Sequence, residues 1–548
     1  LRERFPTKTF RKDSVAGVVL GFQSIPDGLA GGLLAGVNPL YGLYGYMFGT
    51  FSAAFITSSE FMVVQATGAM GVVVSDVPAV QLAEEPNRVL FTLAILTGIV
   101  MAAAGFFKVG QYLKFVPNSV IVGFISAVGI NIVLGQLNDF TGYEAEGANR
   151  LARTWDLITN PLEIDLATIA VGFVTIALIL WLERTRMGAL GMVVAIVVGS
   201  ALVPIFNLGV AQLVDIVDIP AALPLPALPD LTKVPVLLLP AVSLAFVGLI
   251  QGAAISASLP NPDGSYPEPD RDFIGQGFAN VVTGVFQGMP VGGSMSATMI
   301  GQAAGGRSRM VQIVAGVVMA LGVLLLADVV ELIAMPSLAG LLIVVGVRTV
   351  KTNELATVWK TGAVQAVAMA TTFVLTILIP LQFAVLVGVG VAMLLTIVRQ
   401  SEQMEIRRII TTDQGMREVA PPKELPDGEV VVVQPYGSLY FATATAFEDQ
   451  LPAVPDGPVR SVVIVRLRGR TELGSTLVDV MGRYGQGLAD AGSRLIIVAD
   501  NDRVHRQLEV AGVLDIIGQE GLYESTEWLG RTVKQATADA NAWIDEGS

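Results

Sequence analysis

The sequence has no cysteine and one histidine, His505, in 548 residues. Disulfides, thiolate metal sites and cysteine nucleophiles are therefore excluded. A lone histidine in a polar segment reads as a surface residue rather than a zinc ligand. Charge is scarce: 15% of residues are Asp, Glu, Lys or Arg, against about 25% in an ordinary soluble protein. The net charge is −13 and no basic face of useful length occurs, so nucleic acid is not expected as a partner. No Walker A lysine loop is present, so ATP does not drive the protein directly. Gly305 and Gly306 follow an apolar run rather than a strand, and Ala304–Gly306 reads as a turn at a membrane edge. Nothing in the chain resembles an enzyme site, and no resident cofactor is expected.

What is abundant is apolar. Hydrophobic residues make up 53% of the chain and glycines number 58, with mean hydropathy +0.64. Apolar runs fill residues 14–398, and the composition then changes abruptly. About fourteen spans fit, several short or broken: 14–27, 38–57, 66–80, 88–107, 117–137, 165–183, 188–206, 236–257, 272–287, 294–304, 309–327, 332–348, 358–379 and 381–398. The charges alternate across these spans as Lys and Arg on cytoplasmic loops require. Lys108, Lys114, Arg184, Arg186, Arg307, Arg309, Arg348, Lys351 and Arg399 fall on one side. Asp76, Glu84, Glu85, Asp139, Glu144, Glu146, Asp215, Asp218, Asp328 and Glu331 fall on the other. Arg150, Arg153 and the acidic loop Pro260–Asp272 are the exceptions. This places both termini in the cytoplasm and the protein in the inner or plasma membrane, with the basic stretch 1–13 as a cytoplasmic flank rather than a cleaved signal.

Two halves, 14–206 and 236–398, flank a Pro- and Leu-rich connection at 207–235. Seven spans per half force the second copy to insert upside down. The third span of each half opens on small or polar residues, in VQATGAMGVVV (Val64–Val74) and VGGSMSATMIGQ (Val291–Gln302). Bare backbone at membrane depth is tolerated only where it is buried in protein or lines a cavity. Paired half-helices then point at one central site, and their N-termini favour an anion. A polar linker is expected at 399–428. A soluble α/β domain follows over 429–548, with strands Val430–Gln434, Val462–Arg466 and Arg494–Val498, helices on one face of the sheet, and an acidic tail from Ala536 as a frayed helix end.

The segments SIPDGLAGGLLAGVNPLYGLYG and DFIGQGFANVVTGVFQGMPVGGSMSATMIGQAAGGRSR resemble the sulfate permeases, whose animal relatives include prestin. The C-terminal part resembles the STAS domain that follows those permeases. The resemblance implies a polytopic helical membrane domain of fourteen spans in a 7+7 inverted repeat. In the family, spans 1–4 and 8–11 move as a core against a gate of spans 5–7 and 12–14. A small inorganic or organic anion is held between the starts of spans 3 and 10, and the proteins are homodimers in the lipid bilayer.

Carried onto this chain, the site is Thr67, Gly68 and Ala69 at the start of span 3, with Ser294, Met295, Ser296, Ala297 and Thr298 at the start of span 10. Simple helix packing and capping would account for the same residue types. Gln65-Ala66 stands where the family commonly has Gly-Pro, and Ala297 where many members have Arg, which removes a fixed positive charge. Gln251 replaces a carboxylate that the resemblance links to H+ or Na+ coupling; it is also a plain interhelical hydrogen-bonding residue. Asp27 stands after Pro26 where the family has Gln. An acid at membrane depth is a functional candidate by default: a proton-linked carboxyl, neutral when the anion binds, or a structural cap bonding the amides of Gly28–Ala30. Gln23 and Ser24 are candidates for the cavity wall, and Asn131 and Gln136 for interhelical hydrogen bonds. Ser475, after Gly474 and near Arg468 and Arg470, is either a regulatory phosphorylation site or a helix N-cap. The functions that follow are a sulfate-type anion carrier (bicarbonate, chloride, nitrate and dicarboxylate also open), a neutral nucleobase-type carrier of the same fold, or an anion sensor that does not transport.

Overall fold

Pro26 does not end the first helix. The helix runs Phe10–Leu34 straight through it, where a span of 14–27 is expected from sequence. Neighbouring helices bury this stretch, and burial in protein tolerates the backbone hydrogen bond that proline removes. The computed structural model describes residues 9–546 except 84, 148, 186, 189, 218, 380, 413–414, 468, 471, 500, 527 and 529. Glu84, Arg186, Asp218 and Arg468, all used above, lie outside the described residues, as does most of the 1–13 flank.

The chain forms the fourteen spans. The first half holds Phe10–Leu34, Pro39–Ala53, Gly68–Ser75, Pro86–Phe106, Asn118–Gly135, Leu166–Leu182 and Leu190–Phe206, spans 1–7. The second holds Val234–Ser258, Pro269–Val285, Met295–Ala303, Met310–Leu325, Met335–Thr349, Ala363–Leu378 and Leu381–Glu402, spans 8–14. Among the described residues, four helices are long and apolar enough to cross a bilayer on length and composition alone: Pro86–Phe106, Asn118–Gly135, Leu231–Ser258 and Met335–Thr361. Spans 3 and 10 have 8 and 9 residues. At about 1.5 Å per residue they reach less than half of a roughly 30 Å hydrocarbon layer.

Packing divides the membrane unit into two sub-bundles. Spans 4 and 9, 1 and 11, 1 and 2, and 4 and 8 pack together in one; spans 5 and 13, 6 and 7, 5 and 12, and 6 and 12 pack in the other. Spans 1 and 3 meet spans 5, 7 and 12 where the sub-bundles touch. Arg150, an exception in the charge pattern, pairs with Asp76 at 2.9 Å just past the end of span 3.

Glycine sets the closest helix crossings. A Cβ on Gly42 would lie 2.1 Å from the Gly28 carbonyl oxygen and 2.5 Å from the Gly32 nitrogen. Both contacts are backbone, so spans 1 and 2 would have to separate. Gly42→Ala is expected to destabilise the protein by about 1–3 kcal/mol or more through overpacking. Gly390→Ala, where nothing lies within 4 Å, serves as the control. Thermal unfolding of the two variants in detergent checks this.

Met393–Ser548 forms a second compact unit. Its six-stranded sheet has the order β4-β3-β5-β6-β7-β8, comprising β3 (Glu405–Thr412), β4 (Gly415–Val419), β5 (Val430–Tyr436), β6 (Val462–Arg466), β7 (Arg494–Ala499) and β8 (Leu522–Glu524). β3 is antiparallel to β4 and β5, and the rest of the sheet is parallel. Three expectations fail. The 399–428 stretch is no linker, because β3 and β4 extend the sheet there. Helices do not cover one face alone, and the acidic tail is not frayed. The runs VVVV, VVIV and LIIV are apolar at every position, as strands buried on both faces require. Val431, Val433, Val463 and Val465 face one core. Val432, Val462 and Ile464 face the other, closed by Val533, Ala536, Ala540 and Ile544 of the helix Arg531–Asp545. Arg460 and Arg494 stack on Trp543 at 4.1 and 4.5 Å and hold that helix down.

Candidate functional site

The chain enters both half-helices as extended strand, which periodicity does not reveal. β1 (Val63–Gln65) and β2 (Gly292–Ser294) pair antiparallel, with Val63 opposite Ser294, Val64 opposite Gly293 and Gln65 opposite Gly292. Each strand runs directly into its half-helix, so the two helices leave opposite ends of a ribbon only about 7 Å long. The starts of spans 3 and 10 thus lie at the two ends of one short ribbon.

A two-stranded ribbon leaves its outer backbone groups unpaired, and burial makes that costly. Side chains from neighbouring spans supply the partners. Asn280, fully buried on span 9, donates from Nδ2 to the Val291 carbonyl at 2.7 Å and accepts from the Val291 N–H at 2.8 Å. The Gly293 N–H donates to Gln276 Oε1 at 3.0 Å. Thr298 Oγ1 accepts from the Val63 N–H at 3.0 Å, and Thr50 donates to the Val64 carbonyl at 3.2 Å. Gly292 and Gly293 are needed for approach: a Cβ on either would lie 3.0 Å from Gly248 Cα or 2.9 Å from Gly252 Cα on span 8.

Both helix starts carry a hydroxyl cap. Thr67 Oγ1 accepts from the Met70 N–H and Ser294 Oγ from the Ala297 N–H, both at 3.3 Å. The leading N–H groups of Gly68, Ala69, Met295 and Ser296 have no intrahelical acceptor. Thr67 and Gly68 are half-buried, while Met295 and Ser296 are exposed. Ser294 and Ser296 hydroxyls lie 3.3 Å apart. Gln251 touches the start of span 3 and the ribbon beside it: its Oε1 accepts from Thr67 Oγ1 at 3.0 Å and lies 3.6 Å from where a Gly292 Cβ would be. Its amide nitrogen has no protein partner among the described residues. Two helix starts, each equivalent to about half a positive charge, thus lie at the ends of one ribbon with hydroxyl and amide donors beside them.

Several expected site residues sit elsewhere. The Ala297 side chain is 5% exposed and packs with Ala16, Leu20, Val63, Val311 and Ala315. It points away from the tips, its N–H is already capped, and an arginine there would have no room. Ser24 is 2% exposed and accepts from Gln65 Nε2 at 2.8 Å, so it holds the ribbon and does not line a cavity. Gln23 is equally buried. Ala69 is buried too and offers only its backbone N–H.

Asp27 follows Ser24 by three residues and so shares its face of span 1. That face continues to Gly31, whose Cβ position lies 3.7 Å from the Ala66 carbonyl oxygen. Asp27 is half-buried and has no hydrogen-bond partner among the described residues. It sits mid-helix with Gly28–Ala30 helical, so the structural alternative of capping a helix end does not hold. Asn131 donates to the Thr376 carbonyl at 2.9 Å, joining spans 5 and 13. Gln136 makes no such bond through its buried Oε1. The residues that sequence reasoning passed over are Gln65, Thr50 and Gln276. Their signal is a polar side chain in an apolar span.

Compared with known proteins, the chain matches the Sulfate permease family over residues 10–372 and the STAS domain over 423–536. The chain belongs to the sulfate permease family. It is 27% identical to the bicarbonate transporter BicA of Synechocystis over 94% of this chain and 93% of that one. It is 23% identical to the chloroplastic sulfate transporter 4.1 of Arabidopsis thaliana, over 94% and 78%. The structure of the murine Slc26a9 anion transporter superposes with TM-score 0.83 at 18% identity, covering 99% of this chain and 93% of that one. That likeness shows a shared fold: an integral membrane protein with a C-terminal STAS domain.

In the STAS domain of this sulfate permease family member, Gly474 holds the cap position, and Ser475 is the exposed first residue of the helix Ser475–Asp490. The N-cap alternative for Ser475 therefore fails. Arg470 donates to the Pro435 carbonyl at 3.3 Å. His505 is half-buried with an unpartnered Nε2, and is not a plain surface residue.

Proposed function

We propose that this protein is a secondary transporter of small anions, with sulfate-type and bicarbonate-type substrates first among them, that binds its anion between the starts of spans 3 and 10. The observation that carries this is the β1–β2 ribbon, which joins the lead-ins of the two half-helices and so ties their N-termini to one short element. The relatives named as sulfate and bicarbonate transporters support the same substrate class. The division into two sub-bundles suits an elevator-like movement of spans 1–4 and 8–11 past the others. A homodimer with both termini cytoplasmic, and a STAS domain that stabilises the dimer or regulates traffic, complete the proposal. Uptake of labelled sulfate, bicarbonate, chloride, nitrate, dicarboxylate and uracil into proteoliposomes tests it. Anion flux supports it; uracil flux without anion flux, or no flux at all, overturns it.

Asp27 gives the proposal a pH signature. A charged carboxylate on the ribbon-facing side of span 1 would repel an anion at the tips; a protonated one would not. Uptake should therefore rise as pH falls. Asp27→Asn should hold uptake at its acid-limit value at every pH while leaving anion binding intact. A variant that keeps the wild-type pH profile removes Asp27 from the mechanism.

A further inference from the structure

The helix Arg150–Thr159 lies in the chain between spans 5 and 6 and belongs to neither. Ten residues rise about 15 Å, half of what a hydrocarbon layer needs, so it is no span. Asn149 starts it, accepting from the Ala152 N–H at 2.8 Å.

At about 3.6 residues per turn its side chains sort onto three sides. Arg150, Thr154 and Leu157 form the first, which packs on protein: Leu157 is buried and the other two are half-buried. Arg153, Asp156 and Thr159 form the second, which is polar. There Asp156 accepts from the Tyr143 hydroxyl at 2.9 Å, the Glu146 N–H at 2.8 Å and Asn160 Nδ2 at 2.9 Å. Arg153 Nε donates to the Gly147 carbonyl at 3.1 Å. The third side is apolar and open. Leu151, Trp155 and Ile158 make it up, and the last two are 68% and 63% exposed.

The open stripe does not stop with the helix. Leu162, in the turn that follows, is 96% exposed, and Leu166 opens span 6 exposed as well. Phe173 and Leu180 then continue, at seven-residue steps, along the open side of span 6. A membrane-spanning helix turns such a side to lipid, so one apolar surface runs from the span onto the short helix. A helix at the edge of a bilayer meets protein beside it, water and headgroups above it and acyl chains below it, which are the three sides seen here. Tryptophan is enriched at that depth. Arg150 and Arg153 are both bonded within the protein, so apolar insertion holds the helix there rather than attraction to anionic lipid.

We propose that Arg150–Thr159 is seated in the headgroup layer of the bilayer, with Leu151, Trp155, Ile158 and Leu162 inserted at the ends of the acyl chains. The seat is tied to span 3. Arg150, on the protein side of the same helix, donates to the Ser75 hydroxyl and, at 2.9 Å, to Asp76 Oδ1. A cation there complements the negative end of span 3. The seated helix thus holds the far end of the half-helix whose start carries the proposed anion site. The membrane contact itself does not depend on that function.

The chain has no cysteine, so a single introduced cysteine reports one position. Leu151→Cys, Ile158→Cys and Leu162→Cys sample the stripe, and Arg153→Cys and Thr159→Cys the polar side. Each full-length variant carries a nitroxide label in phosphatidylcholine vesicles, and gel filtration shows that it is folded. Power saturation reads collisions with oxygen, which concentrates among acyl chains, and with a water-soluble nickel chelate. Oxygen should exceed the chelate at the three stripe positions, and the order should reverse at the two polar ones. Adding phosphatidylglycerol should leave the pattern unchanged. Chelate exceeding oxygen along the stripe puts that face in water and overturns the proposal. Exclusion of both reagents, which means that protein such as a second copy covers the stripe, overturns it too. So does a pattern that appears only with anionic lipid.

Discussion

Asn280→Leu is expected to abolish uptake and to lower stability more than most single changes in the membrane unit. The leucine is close in volume, so the effect is not a cavity. It is the loss of both partners of Val291: the N–H that Asn280 accepts at 2.8 Å and the carbonyl it donates to at 2.7 Å. Each orphaned buried group costs about 1–3 kcal/mol, so about 2–6 kcal/mol in all. The strand entering span 10 then keeps only the Gly293–Gln276 bond to span 9, and the tip it carries loses its firm place on the ribbon. Asn131→Leu is the matched comparison. Asn131 is just as buried but serves a single carbonyl, that of Thr376, so the cost is about 1–3 kcal/mol and uptake should persist. Thermal unfolding and proteoliposome uptake of both variants check the contrast. Equal effects on uptake would mean that the ribbon holds no special position.

Ser296→Arg should tighten binding of a dianion by about 10- to 100-fold, the equivalent of the roughly 1.5–3 kcal/mol of a hydrogen bond to a charged group. Ser296 is exposed at the tip of span 10, so the long side chain has room, unlike at Ala297. The site otherwise relies on helix ends and neutral donors, whose attraction for an anion is modest. A fixed guanidinium adds charge where there is none. Release should slow in proportion, so the maximal uptake rate falls while the concentration for half-maximal uptake falls too. Equilibrium binding and uptake kinetics with labelled sulfate read the two effects separately. Unchanged affinity would place the anion away from this tip.

The legible parts of the fold were those written in hydrophobicity. All fourteen spans appear near their expected places because apolar runs and alternating loop charge report them directly. The breaks at Thr67 and Ser294 were visible because small polar residues are out of place at membrane depth. The ribbon was not visible. Three residues of strand carry no period, and VVQ and GGS fall at the edges of or between the expected spans. The length of span 1 was misjudged for a related reason: Pro26 signals a stop by local propensity, and burial against spans 2 and 11 overrides it. Residue roles at the tip depended on direction, which sequence alone does not give. Ala297 and Ser296 are neighbours, yet one side chain is packed in an apolar cluster and the other is open. In the STAS domain, uniformly apolar strands were a sign of burial on both faces, and the polar stretch at 405–419 hid the edge strand β4 and its neighbour β3 among largely exposed residues.

The central claim is that an anion sits at the ends of spans 3 and 10, held by their leading N–H groups. A cryo-EM map of the full-length protein with selenate, compared with an anion-free map, tests it directly. The account predicts one added density within hydrogen-bond distance of the Gly68, Ala69 or Ser296 nitrogens, beside Thr67 and Gln251. Anion density elsewhere in the membrane unit, with the space between these tips unchanged, would contradict it.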